Sequence, residues 1–339
     1  MRTFPLPDRR ISCEGAADVQ DHGEGIQPWR LPLRYHDYAD PGLLEAASMP
    51  SGVRVTFATD SPVVAIGIRT LPCGLSDRAA RADLLVDGQR VASSVLESTG
   101  EQTLVYENLP SGTKTVSFYP SQIRPVIIRS VAVAPDASIE PIRDDLPRWI
   151  TYGSSITHCG ESDGPSMIWP AIVARSCGLH LTNLGFGSQG HMDPIVARTI
   201  AALPADCVTL KLAANTLETY TPRTWPAAAW GFVMTIRDAH PNIPLLIGSS
   251  IYFTEHETEP SKTGLSFSFM RDQDQRMVEI MRRRGDRNVH YLDGRELFSE
   301  ADRHLLIDGV HPGPEGVCRM AERFEEKVFG REGLRLMPG

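Results

Sequence analysis

Three short stretches of this chain carry side chains that could act together in nucleophilic chemistry. Gly153-Ser154-Ser155-Ile156-Thr157 offers serine hydroxyls directly after a strand-like run, at what would be the carboxyl edge of a sheet. A Gly/Ser-rich turn, or an anion-binding nest at a helix start, would use the same residues. The stretch departs from the G-x-S-x-G elbow of α/β-hydrolases, because Thr157 stands where the last glycine belongs. Asp308-Gly309-Val310-His311-Pro312 places a carboxylate and an imidazole three apart on a tight turn. There the carboxylate can hold the Nδ1 proton and leave Nε2 as a base. Pro314 and Glu315 read as the first turn of a helix, which accounts for them but not for the Asp-Gly-Val-His ahead of it. Asn215 follows the strand-like run 208–212. It can be a plain turn residue, or its amide can donate to a developing oxyanion.

Such loops need strand ends to hold them together. From residue 149 onward, strand-like runs at 149–152, 181–184, 207–212, 245–248 and 289–292 alternate with helical periodicity at 169–177, 194–202, 227–239 and 271–284. That alternation predicts a parallel sheet with helices on both faces and a site beyond the carboxyl ends of the strands. Residues 51–134 show short β-type runs about ten residues apart, an Asp87-Gly88 hairpin signal and no helical period. They predict an antiparallel sandwich. The Pro-, Asp- and Arg-rich stretch between the two patterns reads as a linker. The expected organisation is therefore a β-sandwich domain at 1–135, a linker at 136–148 and a catalytic domain at 149–339, in keeping with about 150 residues per domain.

Taken together, these stretches resemble the SGNH, or GDSL-type, esterase and acyltransferase superfamily. Its blocks occur in order: Gly153-Ser154-Ser155-Ile156-Thr157, Asn183-Leu184-Gly185-Phe186-Gly187-Ser188, Ala213-Ala214-Asn215-Thr216 and Asp308-Gly309-Val310-His311-Pro312. The resemblance covers about 149–329. The preceding β-domain is similar to the N-terminal sandwich of one branch of these enzymes, a branch that includes an acyltransferase. The resemblance implies a flavodoxin-like three-layer α/β domain with a parallel sheet behind an all-β, jelly-roll-like sandwich. It implies Ser155 as nucleophile, His311 as general base and then acid, and Asp308 as the residue that orients His311. The oxyanion hole would use the backbone N–H groups of Ser155 and Ser188 and the side-chain amide of Asn215. No metal and no organic cofactor is implied. Water as acceptor gives hydrolysis of a small acyl, sugar or natural-product ester. An alcohol acceptor gives transfer of an aryl or acyl group from a thioester to a natural-product hydroxyl. A domain that binds without reacting is the reading from another class. Three positions depart from the family pattern. Ser154 replaces an aspartate, and Ala213 replaces a glycine and could crowd the site. Ser188 also replaces a glycine, keeping the N–H with less freedom in φ.

Other features carry weaker signals. Gly185-Phe186-Gly187-Ser188-Gln189-Gly190 matches G-x-G-x-x-G, but residues 191–194 delay the next helix and Asp206 precedes its strand instead of ending it. His158 and His191 could border the pocket. Cys159 reads as packing, since no histidine pairs with it in sequence. Glu255, His256, Glu257 and Glu259 lack ligand spacing and read as a solvated loop. The irregular stretch 252–268 reads as a lid or specificity wall, and Phe253, Leu265 and Phe267 within it and Phe269 just after it line an acyl pocket or anchor the loop. Arg282-Arg283-Arg284 followed by Gly285 reads as a helix C-terminus.

Composition narrows the partners. Lys and Arg total 34 against 42 Asp and Glu, a formal charge of −8, which argues against nucleic acid or an anionic membrane as the main partner. A chain 41% hydrophobic is not disordered. No run approaches the ~18 apolar residues of a membrane span, and Met1–Pro7 lacks a signal-peptide core. Six scattered cysteines without a Cys-x-x-Cys pair suit reduced thiols. The expectation is a cytoplasmic enzyme whose partners are a small-molecule ester or thioester and a possible alcohol acceptor. Oligomeric state is left open.

Overall fold

Period-two apolar patterning gives the first unit, Met1–Leu146 with Gly164–Ser166, its two antiparallel sheets. The structure is a computed structural model that describes residues 1–76, 78–143, 145–212 and 214–337. One sheet orders Asp18–Asp21, Ile26–Trp29, Val126–Val133, Val64–Thr70 and Gly100–Tyr106, with Arg2–Pro5 also paired to Val126–Val133. The other orders Ile139–Glu140, Arg54–Thr59, Lys114–Tyr119, Arg81–Val86 and Gln89–Val95, with Ser12–Glu14 on Arg54–Thr59. Val55, Phe57, Val116 and Phe118 of the second sheet share a core with Ile66, Ile68, Val131 and Val133 of the first, so the sheets form a sandwich. The expected hairpin is present. Asp87 and Gly88 both take positive φ (47° and 79°), as its tight turn requires.

Two features of this unit were not expected. The strands before residue 30 are only three or four residues long, too short to show a period. The helix Pro41–Ser48 had a local signal: the Asp40 carboxylate accepts from Gly42 N–H at 2.8 Å, with Pro41 in the first turn. The stretch read as a linker contains Ile139–Glu140, bonded to the edge of Arg54–Thr59. Its Asp144 lies outside the described residues.

The second unit, Pro147–Asp163 with Met167–Gly339, holds five strands in the order His180–Gly185, Arg148–Gly153, Cys207–Lys211, Leu245–Gly248 and Val289–Leu292. All four pairings are parallel, and the chain order 2-1-3-4-5 is flavodoxin-like. Side chains of the first strand point to both faces. Trp149 packs on Trp169, Phe324 and Phe329, while Tyr152 packs on Phe232. These rings come from Trp169–Cys177, Pro314–Phe324 and the following turn Glu325–Phe329 on one face and from Trp225–Ala239 on the other, which makes three layers. Burying each such ring stabilises the unit by roughly 2–3 kcal/mol. Phe267–Arg283 ends as expected, with Arg284 at its C-cap and Gly285 at φ 101°. No helix among the described residues is long and apolar enough to cross a membrane. The strands on either side of Arg148–Gly153 are reached by successive connections, so a crevice opens beyond its carboxyl end.

Candidate active site

Gly153 closes that strand, and Ser154 is the N-cap of the four-residue helix Ser155–His158. A Cβ on Gly153 would lie 2.3 Å from Thr157 Oγ1, so only glycine lets the helix start flush against the strand. Ser155 Oγ lies 2.8 Å from His311 Nε2. His311 Nδ1 lies 2.7 Å from Asp308 Oδ2. Asp308 Oδ1 accepts the N–H groups of His311 and Val310 at 2.7 and 2.9 Å. Burial pushes the Asp308 carboxyl up. The hydrogen bonds from the His311 side chain and from the His311 and Val310 amides outweigh that and hold it at about 2. An ionised carboxylate at Nδ1 keeps the ring proton there and turns the Nε2 lone pair toward the serine hydroxyl, an arrangement that can remove its proton.

The turn carrying Asp308 and His311 is closed by its own backbone. Gly309 sits at φ 83°, Ile307 N–H donates to His311 O, and Gly313 N–H donates to Leu305 O. Pro314 stands at the start of the following helix, as expected. Just upstream, buried Asp302 accepts from Ser299 and from Arg323 Nη1 at 2.6 Å. These bonds overcome the upward push of burial and hold its carboxyl well below the usual carboxylate range.

The loop after the second strand is tied to the helix Ser155–His158 and to Asn215. Phe186 N–H donates to Gly153 O at 2.9 Å, Gly187 N–H to His158 Nδ1 at 3.1 Å, Gly190 N–H to Asn215 Oδ1 at 3.0 Å and Met192 N–H to the Tyr152 hydroxyl at 2.8 Å. Asn183 Nδ2 donates to Thr157 O at 3.0 Å. With Oδ1 engaged by Gly190, the NH₂ of Asn215 is the end left to donate. Ser188 takes φ 58°, the left-handed region that favours the glycine it replaces. Ala213 lies outside the described residues.

Two glycines of the G-x-G-x-x-G match, Gly185 and Gly190, have a local explanation. A Cβ on Gly185 would lie 2.3 Å from His158 N, and one on Gly190 would lie 3.0 Å from Ser154 Cα. They allow close packing of backbone on backbone.

The structure thus joins Ser155, His311 and Asp308 in one relay, and places Asn215 and the 186–192 loop beside Ser154. His158 is buried against that loop. His191 Nε2 lies 3.1 Å from Ser188 O. Burial pushes the Cys159 thiol up to about 12, so it stays protonated and does not compete as a nucleophile. In the stretch 252–268, Phe253 and Phe267 stack at 4.1 Å and are buried with Leu265, which makes them anchors. Thr254 Oγ1 donates to Gly309 O at 3.1 Å, and Ser261 Oγ donates to Leu217 O at 3.0 Å. The stretch therefore braces the loops that follow Asn215 and Asp308. Glu257 pairs with Arg271.

Sequence reasoning passed over Tyr152 and Lys211, and read Gly190 only as part of the G-x-G-x-x-G match. Lys211 Nζ, at the end of the third strand, is buried and has no hydrogen-bond partner among the described residues. Burial pulls its pKa down to about 8. A lysine as the one charged residue of the run 207–212 was the available signal.

Comparison with known proteins agrees with this geometry. The model of the GDSL-like lipase/acylhydrolase family matches residues 148–329, and that of the SsfX3 N-terminal domain matches residues 11–129. No curated protein matches the sequence. Among solved structures, the salicylyl-acyltransferase SsfX3 from a tetracycline biosynthetic pathway is similar at 30% identity over 99% of both chains, with a TM-score of 0.92. A family two carbohydrate esterase from Clostridium thermocellum shares the fold at 14% identity, over 96% of this chain and 100% of its own, with a TM-score of 0.71. An acetyl xylan esterase, Est2A, from the rumen bacterium Butyrivibrio proteoclasticus does so at 12% identity over 98% and 99%, with a TM-score of 0.65. The chain belongs to the GDSL-like lipase/acylhydrolase family and is an enzyme of serine-dependent acyl transfer or ester hydrolysis.

Proposed function

We propose that Ser155 is the nucleophile of an acyl-transfer reaction in which His311 moves the proton and Asp308 orients His311. The observation that carries this reading is the unbroken relay of 2.8 and 2.7 Å from Ser155 Oγ through His311 to Asp308. His311 Nε2 takes the Oγ proton as Ser155 attacks the carbonyl carbon of an ester or thioester. The oxyanion accepts hydrogen bonds from the N–H groups of Ser155 and Ser188 and from the Asn215 amide. Collapse breaks the bond to the leaving alcohol or thiol, which takes the proton from His311, and leaves acyl-Ser155. A second hydroxyl compound then gives its proton to His311 and attacks the acyl carbon. It leaves with the acyl group, and Ser155 recovers its proton.

Water is the first acceptor in this reading. The Asp308 side chain is half exposed and that of His311 a quarter exposed, so solvent reaches the base. The reaction is then hydrolysis of a small acyl, sugar or natural-product ester. A second reading, transfer of an aryl or acyl group from a thioester to a hydroxyl, is favoured by the full-length likeness to a salicylyl-acyltransferase, which extends through the N-terminal domain. Six free thiols support a reducing, cytoplasmic setting.

Mass detection of acyl-Ser155 across ester and thioester donors tests the scheme, followed by offering candidate alcohols to the trapped intermediate. A covalent acyl adduct on Ser155 is expected. Release of free acid only, across a broad acceptor panel, excludes the transfer reading. A folded protein that turns over no ester or thioester leaves a domain that binds without reacting.

A further inference from the structure

We propose that His158 is a positioning residue for the oxyanion hole, holding the 187–188 segment so that the Ser188 N–H faces the reacting carbonyl. The inference rests on the acyl-transfer site described above. His158 ends the same four-residue helix that begins with Ser155, and its own N–H donates to Ser154 O at 2.9 Å. One rigid turn therefore carries both the attacking hydroxyl and the imidazole. That imidazole is buried, and its Nδ1 accepts the Gly187 N–H at 3.1 Å. A neutral ring that accepts at Nδ1 carries its proton on Nε2.

The position needs such a brace because Ser188 takes φ 58° without being glycine. A residue held in the left-handed region persists only where its surroundings over-determine it. The peptide before Gly187 is held by His158, and the carbonyl of Ser188 by His191 Nε2 at 3.1 Å. Between them lies the peptide bearing the Ser188 N–H, whose direction follows from the two that flank it. Without the His158 acceptor, the strain at Ser188 can relax by rotation of that middle peptide. The donor would be lost while the substrate-binding surface stayed in place.

The test compares His158→Ala with His158→Asn, whose Oδ1 hangs from Cγ as Nδ1 does and can accept the same N–H. Steady-state kinetics on one ester substrate should show His158→Ala losing about 10- to 100-fold in kcat, with KM within about twofold, the pattern of a missing oxyanion donor. His158→Asn should recover kcat to within about fivefold of the native enzyme. The inference is overturned if His158→Ala keeps native kcat, if its loss falls on KM, or if folded His158→Asn stays more than about fivefold below native. Should His158→Ala not fold, the Asn variant decides alone by the same fivefold limit. Ser155→Ala in parallel separates the two claims. Full turnover there would refute the acyl-transfer site itself, whereas its loss beside an unimpaired His158→Ala would refute only the role of His158.

Discussion

The two sides of Ser155 are built differently. On one side the 186–192 loop is fastened by four of its own N–H groups to Gly153, His158, Asn215 and Tyr152, and its anchors Gly153, His158 and Tyr152 are buried. On the other side Asp308 and His311 share a short turn closed by its own backbone, with the carboxylate half in solvent. The difference teaches where rigidity is needed. In the proposed reaction, oxyanion donors act only if they are aimed before the charge forms, so the groups that brace them are buried even though Ser188 itself is exposed. A proton relay tolerates a wet flank, because water can hydrogen-bond an imidazole in place of a carboxylate.

The largest expected effect lies on the buried side. Asn215→Ala should cost about 10²–10³ in kcat, because an amide fixed by Gly190 is not replaced by solvent. Asp308→Ala should cost less than Asn215→Ala, well short of the roughly 10⁴-fold loss at a buried triad aspartate, since the vacated flank of His311 is open to water. Steady-state kinetics with an activated ester orders the two, and a larger loss at Asp308 would break the comparison. Asp308 also titrates with a definite sign. Its folded pKa lies below the ordinary 3.8, so its contribution to stability is complete above that pH and is lost as pH falls toward about 2.

A subtler consequence of burial appears at Lys211. Its folded pKa of about 8 lies below the ordinary 10.5, so the unfolded chain binds more protons between those values. Stability should therefore rise with pH across that window, if other titrations are matched. Lys211→Met should remove the rise and be the more stable protein at pH 7. Urea unfolding of both proteins from pH 7 to 10 checks this, and parallel curves would show that the ammonium is solvated. The smallest effect belongs to Ser188→Gly, which relieves a left-handed serine. It should raise stability by about 1 kcal/mol with kcat within about twofold, because the backbone N–H survives.

The two sides also differed in how legible they were in the sequence. Asp308 and His311 lie three residues apart, and Ser155 follows a recognisable strand, so the relay could be read locally. The strands and helices of the second unit could be read from their periods, apart from ends such as Trp225 and Phe267, where helices begin a few residues earlier than expected. The braces of the oxyanion loop could not. Gly190 meets Asn215 across 25 residues, Gly187 meets His158 across 29, and Tyr152 meets Met192 across 40. No local pattern encodes a pairing that exists only once the parallel strands are in register. The aromatic residues of 252–268 left pocket and anchor equally open in the sequence. Burial and the stack of Phe253 on Phe267 decide for anchor.

The central claim is that Ser155, activated by His311, forms the covalent intermediate. A fluorophosphonate probe with intact-mass and peptide analysis tests it most directly, because the probe adds only to an activated nucleophile. The account predicts one phosphonyl group per chain, on the peptide containing Ser155, and none on folded Ser155→Ala. An unlabelled native protein, or an adduct on any other residue, would contradict it.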